Sequence, residues 1–234
     1  MVSFWRRFDK EKVYIYGAGL TGIAIAEYIR QRFPGYKVIG FVDDKEKTHE
    51  YPIPILGDRS KLEELKRKKG LVNVVLGFVY PVPERLQTGL ELLAEGFEFP
   101  SFVDKKILER YGVSIGRGVI VYDSRINPGV KLGDFVGIND SHIQSSTIGD
   151  GVIITPGVFV GAGANIGRGT VLRGGARIMY GTNIGEYCDI EEIAFIGRNA
   201  RIGGKTTIGV GAMIGEDVQL AEGTCVGIRA FVPK

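Results

Sequence analysis

The chain has 234 residues, enough for one large domain or two small ones, and a formal charge of +3. Lys and Arg are interleaved with Asp and Glu, so no nucleic-acid or acidic partner is indicated. No run of roughly eighteen apolar residues occurs and no signal-peptide pattern precedes the first strand, which gives the expectation of a cytoplasmic protein without stable membrane insertion. The two cysteines agree with a reducing compartment.

Residues 1–10, with Phe4-Trp5-Arg6-Arg7-Phe8, read as an N-terminal arm that packs on its own domain. The apolar run Lys12-Val13-Tyr14-Ile15-Tyr16 leads directly into Gly17-Ala18-Gly19-Leu20-Thr21-Gly22. A helical pattern follows from Leu20 to about Phe33, and the run from Tyr36 to Asp44 reads as a second strand ending in acids. A G-x-G-x-x-G loop between strand and helix turns backbone N–H groups and a helix N-terminus toward a phosphate. The same loop also serves as a tight strand–helix turn with no ligand. A turn at 52–58, a charged helix at 59–69, a strand at 71–77, a helix near 83–95 and a strand at 97–103 complete a Rossmann-like parallel sheet domain over 11–104. A linker helix is expected at 105–110.

Residues 1–110 hold 10 of the 35 glycines and residues 111–234 the other 25, which places the change of architecture between them. From Ile148 to Val232, fifteen aliphatic residues recur every sixth position without a miss, and nine are followed by Gly. The residue four places after each is small or compact, as at Ala164, Thr170, Ala176 and Cys188. A period of six is neither helical nor that of a simple strand; it fits a solenoid of short flat strands joined by tight corners, with Gly supplying backbone freedom. The predicted solenoid spans 111–234. Cys188 falls in the small-residue phase and reads as structural.

The order of parts, "KVYIYGAGLTGIAIAEYI", "YKVIGFVDDK" and "IPILGD" followed by hexapeptide repeats, resembles the sugar O- and N-acetyltransferases of the sialic-acid and bacillosamine type. The resemblance implies a left-handed parallel β-helix after the α/β domain, assembled as a homotrimer with the acyl-CoA site between neighbouring helices. It implies acetyl-CoA as co-substrate and a nucleotide-sugar, a UDP-sugar or a relative of it, in place of NAD on the first domain. Gly17, Gly19 and Gly22 then match the phosphate loop, and Asp43 and Asp44 the nucleobase and ribose side. Such transferases act in surface polysaccharide and glycan synthesis.

In that family a His takes the acceptor's proton, four residues before an I-G-D turn. Here four before Ile148-Gly149-Asp150 is Gln144, and His142 stands two residues early. Ile120, Ile126, Leu132 and Ile138 also run in sixes, but Ile138 to Ile148 is ten residues where two repeats need twelve. His142 is either carried into the catalytic place by the shortened coil, with Asp140 or Asn139 orienting its ring, or displaced from it by Gln144, which cannot act as a base. An amine attacks unaided more readily than a hydroxyl, so the departure favours N- over O-acetylation. The stretch Val160-Gly161-Ala162-Gly163 matches the family's glycine after the next coil, with Gly163 the best match for the N–H that meets the thioester oxygen or pantetheine; the same glycines also serve as plain corners. Two alternatives stand beside the transferase: a nucleotide-sugar-binding scaffold with weak or no catalysis, and a nicotinamide enzyme. No Tyr-x-x-x-Lys pattern follows the loop, which disfavours the latter. Two histidines in the whole chain exclude a three-His zinc site, and no metal is expected.

Overall fold

The computed structural model describes residues 11–234; the expected arm at 1–10 lies outside the described residues. Those residues form two compact units, 11–79 with 90–100, and 80–89 with 101–234.

In the first unit β1 (Glu11–Tyr16) is the centre of a three-stranded parallel sheet. It lies between β2 (Tyr36–Val42) and β3 (Asn73–Leu76). Val13, Tyr14, Ile15 and Tyr16 are all buried, as a central parallel strand requires. Helix α1 (Leu20–Arg32) buries Gly22, Ile25, Ala26 and Ile29, one face of a 3.6-residue period. Helix α2 (Arg59–Lys69) opens on Asp58, whose side chain accepts from the Ser60 N–H, and ends at Gly70 with φ 78°. The strand expected at 97–103 is instead two separate bridges, Glu98 to Asn73 and Phe102 to Ile120. Pro100 between them has no N–H to continue a ladder.

The second unit is a left-handed parallel β-helix whose three sheets each contain seven short strands. Helices α3 (Val82–Ala94) and α4 (Lys105–Leu108) precede it. One inward column runs Ile126, Ile143, Val160, Ile178, Ile196 and Ile214, every member fully buried. Each such side chain contributes about 1.5–3 kcal/mol of burial. At the start of the solenoid Val103 and Ile107 close the core, and Phe102 pairs with Ile120. The buried hydroxyls of Thr170 and Thr182 donate to the Gly185 and Gly197 carbonyls, which explains why Thr is admitted at a core corner. Cys188 occupies the same corner, and burial pushes its thiol up.

Two details of the repeat differ from the simple reading. The Gly after an inward residue is there for close contact between coils: a Cβ on Gly167 would lie 2.4 Å from the Gly185 carbonyl carbon. The left-handed backbone belongs to the residue two places later, and Ile193, Asn199 and Lys205 adopt it as well as Gly. The shortened coil is also divided. Ile143 points inward between Ile138 and Ile148, so the ten residues make two steps of five. One coil earlier Val121, not Ile120, lies beneath Ile138, and the step to Ile126 is again five.

Candidate functional site

The glycine loop of the first unit is built on close approach. Gly17 has φ 114°, and a Cβ on Gly22 would stand 2.0 Å from the Gly17 carbonyl oxygen. Gly77 at the end of β3 is as tight, its Cβ position 2.4 Å from the same oxygen. Gly19 caps α1 with no side-chain hydrogen bond and has open space where a Cβ would be. Gly22 thus serves packing, while Gly19 leaves the α1 N-terminus without a side-chain cap.

The loop is brought against the end of β2 through Asp43. Its Oδ2 accepts from the Ala18 N–H at 2.7 Å, and Oδ1 accepts from Lys45 and Glu46 N–H at 2.9 Å each. Burial pushes the carboxyl up, but these three donors outweigh it and hold it below the usual carboxylate range. Asp44 accepts from the Tyr16 hydroxyl at 2.5 Å and from the Arg59 N–H at 2.9 Å. Burial first, then the Asp44 hydrogen bond, raises the Tyr16 hydroxyl. Both aspartates therefore hold the loop together, and each has one lone-pair direction left on at least one oxygen for a ligand donor. Tyr16 and Arg59, which fix Asp44, carry no motif that the sequence reading used.

In the second unit His142 lies on a two-residue strand whose backbone N–H donates to Val158 at 2.9 Å. It lines a recess of ≈ 380 Å³ with Asp123, Arg125, Asp140, Phe159 and Arg177. The recess sits at two successive five-residue corners whose Asp residues are both left-handed, Asp123 with φ 29° and Asp140 with φ 38°. Ser141 locks these corners, donating its N–H to the Ser124 hydroxyl at 3.1 Å and accepting the Val158 N–H at 3.2 Å. The His142 Nε2 is buried and has no hydrogen-bond partner among the described residues. Burial, then the positive charge of Arg125, holds the imidazole below its ordinary value of 6.5. The other histidine, His49, packs edge-on against Phe41 in the first unit with centroids 5.1 Å apart.

Gln144 follows inward Ile143 and so emerges on the same outer face as His142. Its backbone N–H donates to Val160, and Gly161 makes the same bond to Ile178 one coil on. Asn139 and Asp140 are exposed on the corner before His142. The Gly161 N–H donates to Ile178 at 2.9 Å and the Gly163 N–H to Ser145 at 2.7 Å, so both serve the ladder between coils. The N–H of Ala162, between them, has no partner among the described residues.

Beyond His142 a ladder of side chains climbs the solenoid. His142 meets Phe159 at 5.5 Å between centroids, Phe159 meets Tyr180 at 6.2 Å, and the Arg198 guanidinium lies 5.8 Å from the Tyr180 centroid. Phe159 is visible in the sequence as the residue just before an inward Val160. Reading that place in each coil gives Arg125, His142, Phe159 and Arg177 as one outer column, a signal the six-residue phase alone does not supply.

Known proteins share the fold of the two units. The family model for the PglD N-terminal domain matches residues 12–77, and that for the GMPPB C-terminal domain matches residues 142–234. No curated protein matches the chain. The acetyltransferase domain of PglB from Neisseria gonorrhoeae FA1090 is similar at 20% identity and TM-score 0.61, over 88% of this chain and 97% of that one. The same domain in complex with acetyl coenzyme A is similar at 20% identity and TM-score 0.53, over 95% and 98%. WeeI from Acinetobacter baumannii AYE is similar at 19% identity and TM-score 0.52, over 93% and 94%. A segment similar to the PglD N-terminal domain, ahead of a hexapeptide β-helix, gives this chain a two-part fold similar to that of the PglB acetyltransferase domain and WeeI.

Proposed function

We propose that the protein transfers an acetyl group from acetyl-CoA to the amine of a nucleotide-linked amino sugar, with His142 accepting the amine's proton. The observation that carries this reading is the His142 recess: an imidazole held below its ordinary range, with a buried nitrogen that no group of the described chain engages. A neutral imidazole at physiological pH is the proton acceptor that acyl transfer needs. Asp140 or Asn139 is the group that orients the ring when substrate closes the recess, and Gln144 stands beside it as a hydrogen-bonding contact to the acceptor.

The acyl donor follows the ladder above His142. Three coil steps separate His142 from Arg198, ~14 Å at the spacing of parallel strands. The pantetheine arm has the reach of four or five extended residues, ~13–18 Å, which sets the thioester near His142 and a CoA phosphate near Arg198. The free Ala162 N–H lies beside this track as the donor to an amide or thioester oxygen, with Gly161 and Gly163 shaping the corner. The nucleotide-sugar is held on the first unit, its diphosphate at Gly17, Gly19 and the α1 N-terminus, its base or ribose at Asp43 or Asp44.

On this reading the acceptor is a UDP-linked sugar, N-acetylation exceeds O-acetylation, and the product enters surface polysaccharide or glycan synthesis in the cytoplasm. A homotrimer closes the recess between neighbouring solenoids. The engaged Gly161 and Gly163 N–H groups favour one second reading, a nucleotide-sugar-binding scaffold without turnover. Thiol release from acetyl-CoA, followed against UDP- and GDP-linked amino sugars and a hydroxyl acceptor, decides between them. Turnover with the amino sugars, fastest with UDP, is expected; binding without thiol release overturns the transferase in favour of the scaffold. Light scattering that gives a stable monomer at micromolar concentration overturns the trimer.

A further inference from the structure

We infer that Arg125 is a positioning residue that keeps the proton off His142, and this rests on the reading of His142 as the base. Arg125 and His142 are register partners on adjacent coils, one strand spacing of ~4.8 Å apart. Both line the same recess. The pairing is fixed by backbone: Arg125 N–H donates to Ser141 at 2.8 Å, and His142 N–H donates to Val158 at 2.9 Å. The two corners that lead into these strands are shortened alike, with Asp-Ser at the same places, so the residues cannot slip past one another without breaking the Ser141–Ser124 bond.

The charges around the imidazole decide its state. Arg125 faces it from the coil below, and a cation there opposes a second positive charge in a partly desolvated recess. Phe159 faces it from the coil above, edge-on and uncharged, with Arg177 one coil further. Asp123 and Asp140 are the anions on the recess wall, at the preceding corners. No carboxylate of the described chain engages the buried Nε2, the contact that would favour imidazolium. The direction of the shift in His142, set by burial and then by Arg125, agrees with this geometry. The outcome is a base that carries less charge than an ordinary histidine at the same pH.

The test uses the whole chain and needs no ligand for its first readout. Only two histidines are present, so the His142 ring resonance in a proton NMR titration is identified by its loss in His142→Ala. In Arg125→Gln the His142 midpoint is expected to move to higher pH, and Arg125→Lys is expected to return it toward wild type. The acid limb of kcat/KM is expected to move with it in both variants. An unmoved His142 midpoint in Arg125→Gln overturns the inference. A midpoint that moves while the acid limb stays in place overturns the base reading instead, and leaves the pairing of Arg125 with His142 standing. Arg125 is exposed, so its replacement leaves the fold intact and a melting curve serves as the control.

Discussion

The imidazole of His142 stands edge-on to the ring of Phe159, 76° between planes, because the two residues are register partners on adjacent coils. An apolar ring at that distance fixes the orientation of the base without giving it a charge partner. It also joins the base to the track along which the acyl donor is proposed to lie.

His142→Ala is therefore expected to lower turnover by roughly 10²- to 10⁴-fold, the usual loss for a general base. The melting temperature is expected to stay close to wild type, because inward Ile143, not His142, packs the core. Steady-state rates and a melting curve on one preparation check both halves; a loss of activity that only tracks unfolding would count against the base.

The pH dependence has a definite sign. As pH falls through about 6.5 the unfolded chain takes up a proton at His142 more readily than the folded chain, since burial and Arg125 depress the folded value. The stability from this group is complete above 6.5 and is lost as pH falls from there through the folded value. Urea midpoints measured across that window are expected to fall more in wild type than in His142→Ala. The acid limb of kcat/KM is expected below 6.5 for the same reason.

Gly22→Ala and Gly19→Ala separate packing from binding. The first places a methyl 2.0 Å from the Gly17 oxygen, so the strand and helix must move apart, at a cost of about 2–4 kcal/mol. The second meets open space and is expected to leave stability within about 1 kcal/mol of wild type. Calorimetric titration with a UDP-sugar is expected to show weaker binding in Gly19→Ala at unchanged fold.

Asp43→Ala leaves three backbone donors without their acceptor and is expected to destabilise the first unit by ~1–3 kcal/mol. Asp43→Asn retains one oxygen and is expected to fall between. Because the folded carboxyl lies below 3.8, its contribution is present above that value and disappears as pH falls through the folded value, so the two variants converge on wild type in strong acid. Thermal melts at neutral pH and in acid test the pair.

Much of the fold is legible in the residues because period six has few structural meanings, and Ile148 to Val232 never departs from it. The α/β unit is legible because burial in a central strand and a helix stripe leave periods of their own. The site is harder to read. Ile143 is one aliphatic residue among polar neighbours, and a count of ten does not say where two residues are missing. Ile120 holds the six-residue phase, yet Val121 is the one that points inward, because a five-residue corner preserves the inward contact rather than the count. The reach of Asp43 to Ala18, and of Asp44 to Tyr16 and Arg59, depends on three-dimensional closure that no spacing encodes.

The two five-residue steps have a consequence for how such a molecule changes over time. Each coil touches only the coils above and below, so the missing residues are absorbed locally and the next repeat resumes at Ile148 as if nothing were lost. A deletion that would ruin a globular core here acts like the movement of a vernier. It changes which residue of the sequence enters an outer column while the register of the coils on either side stays true. Lineages of this architecture are then free to retune the chemistry of a single coil, and the solenoid on either side carries no record of the adjustment.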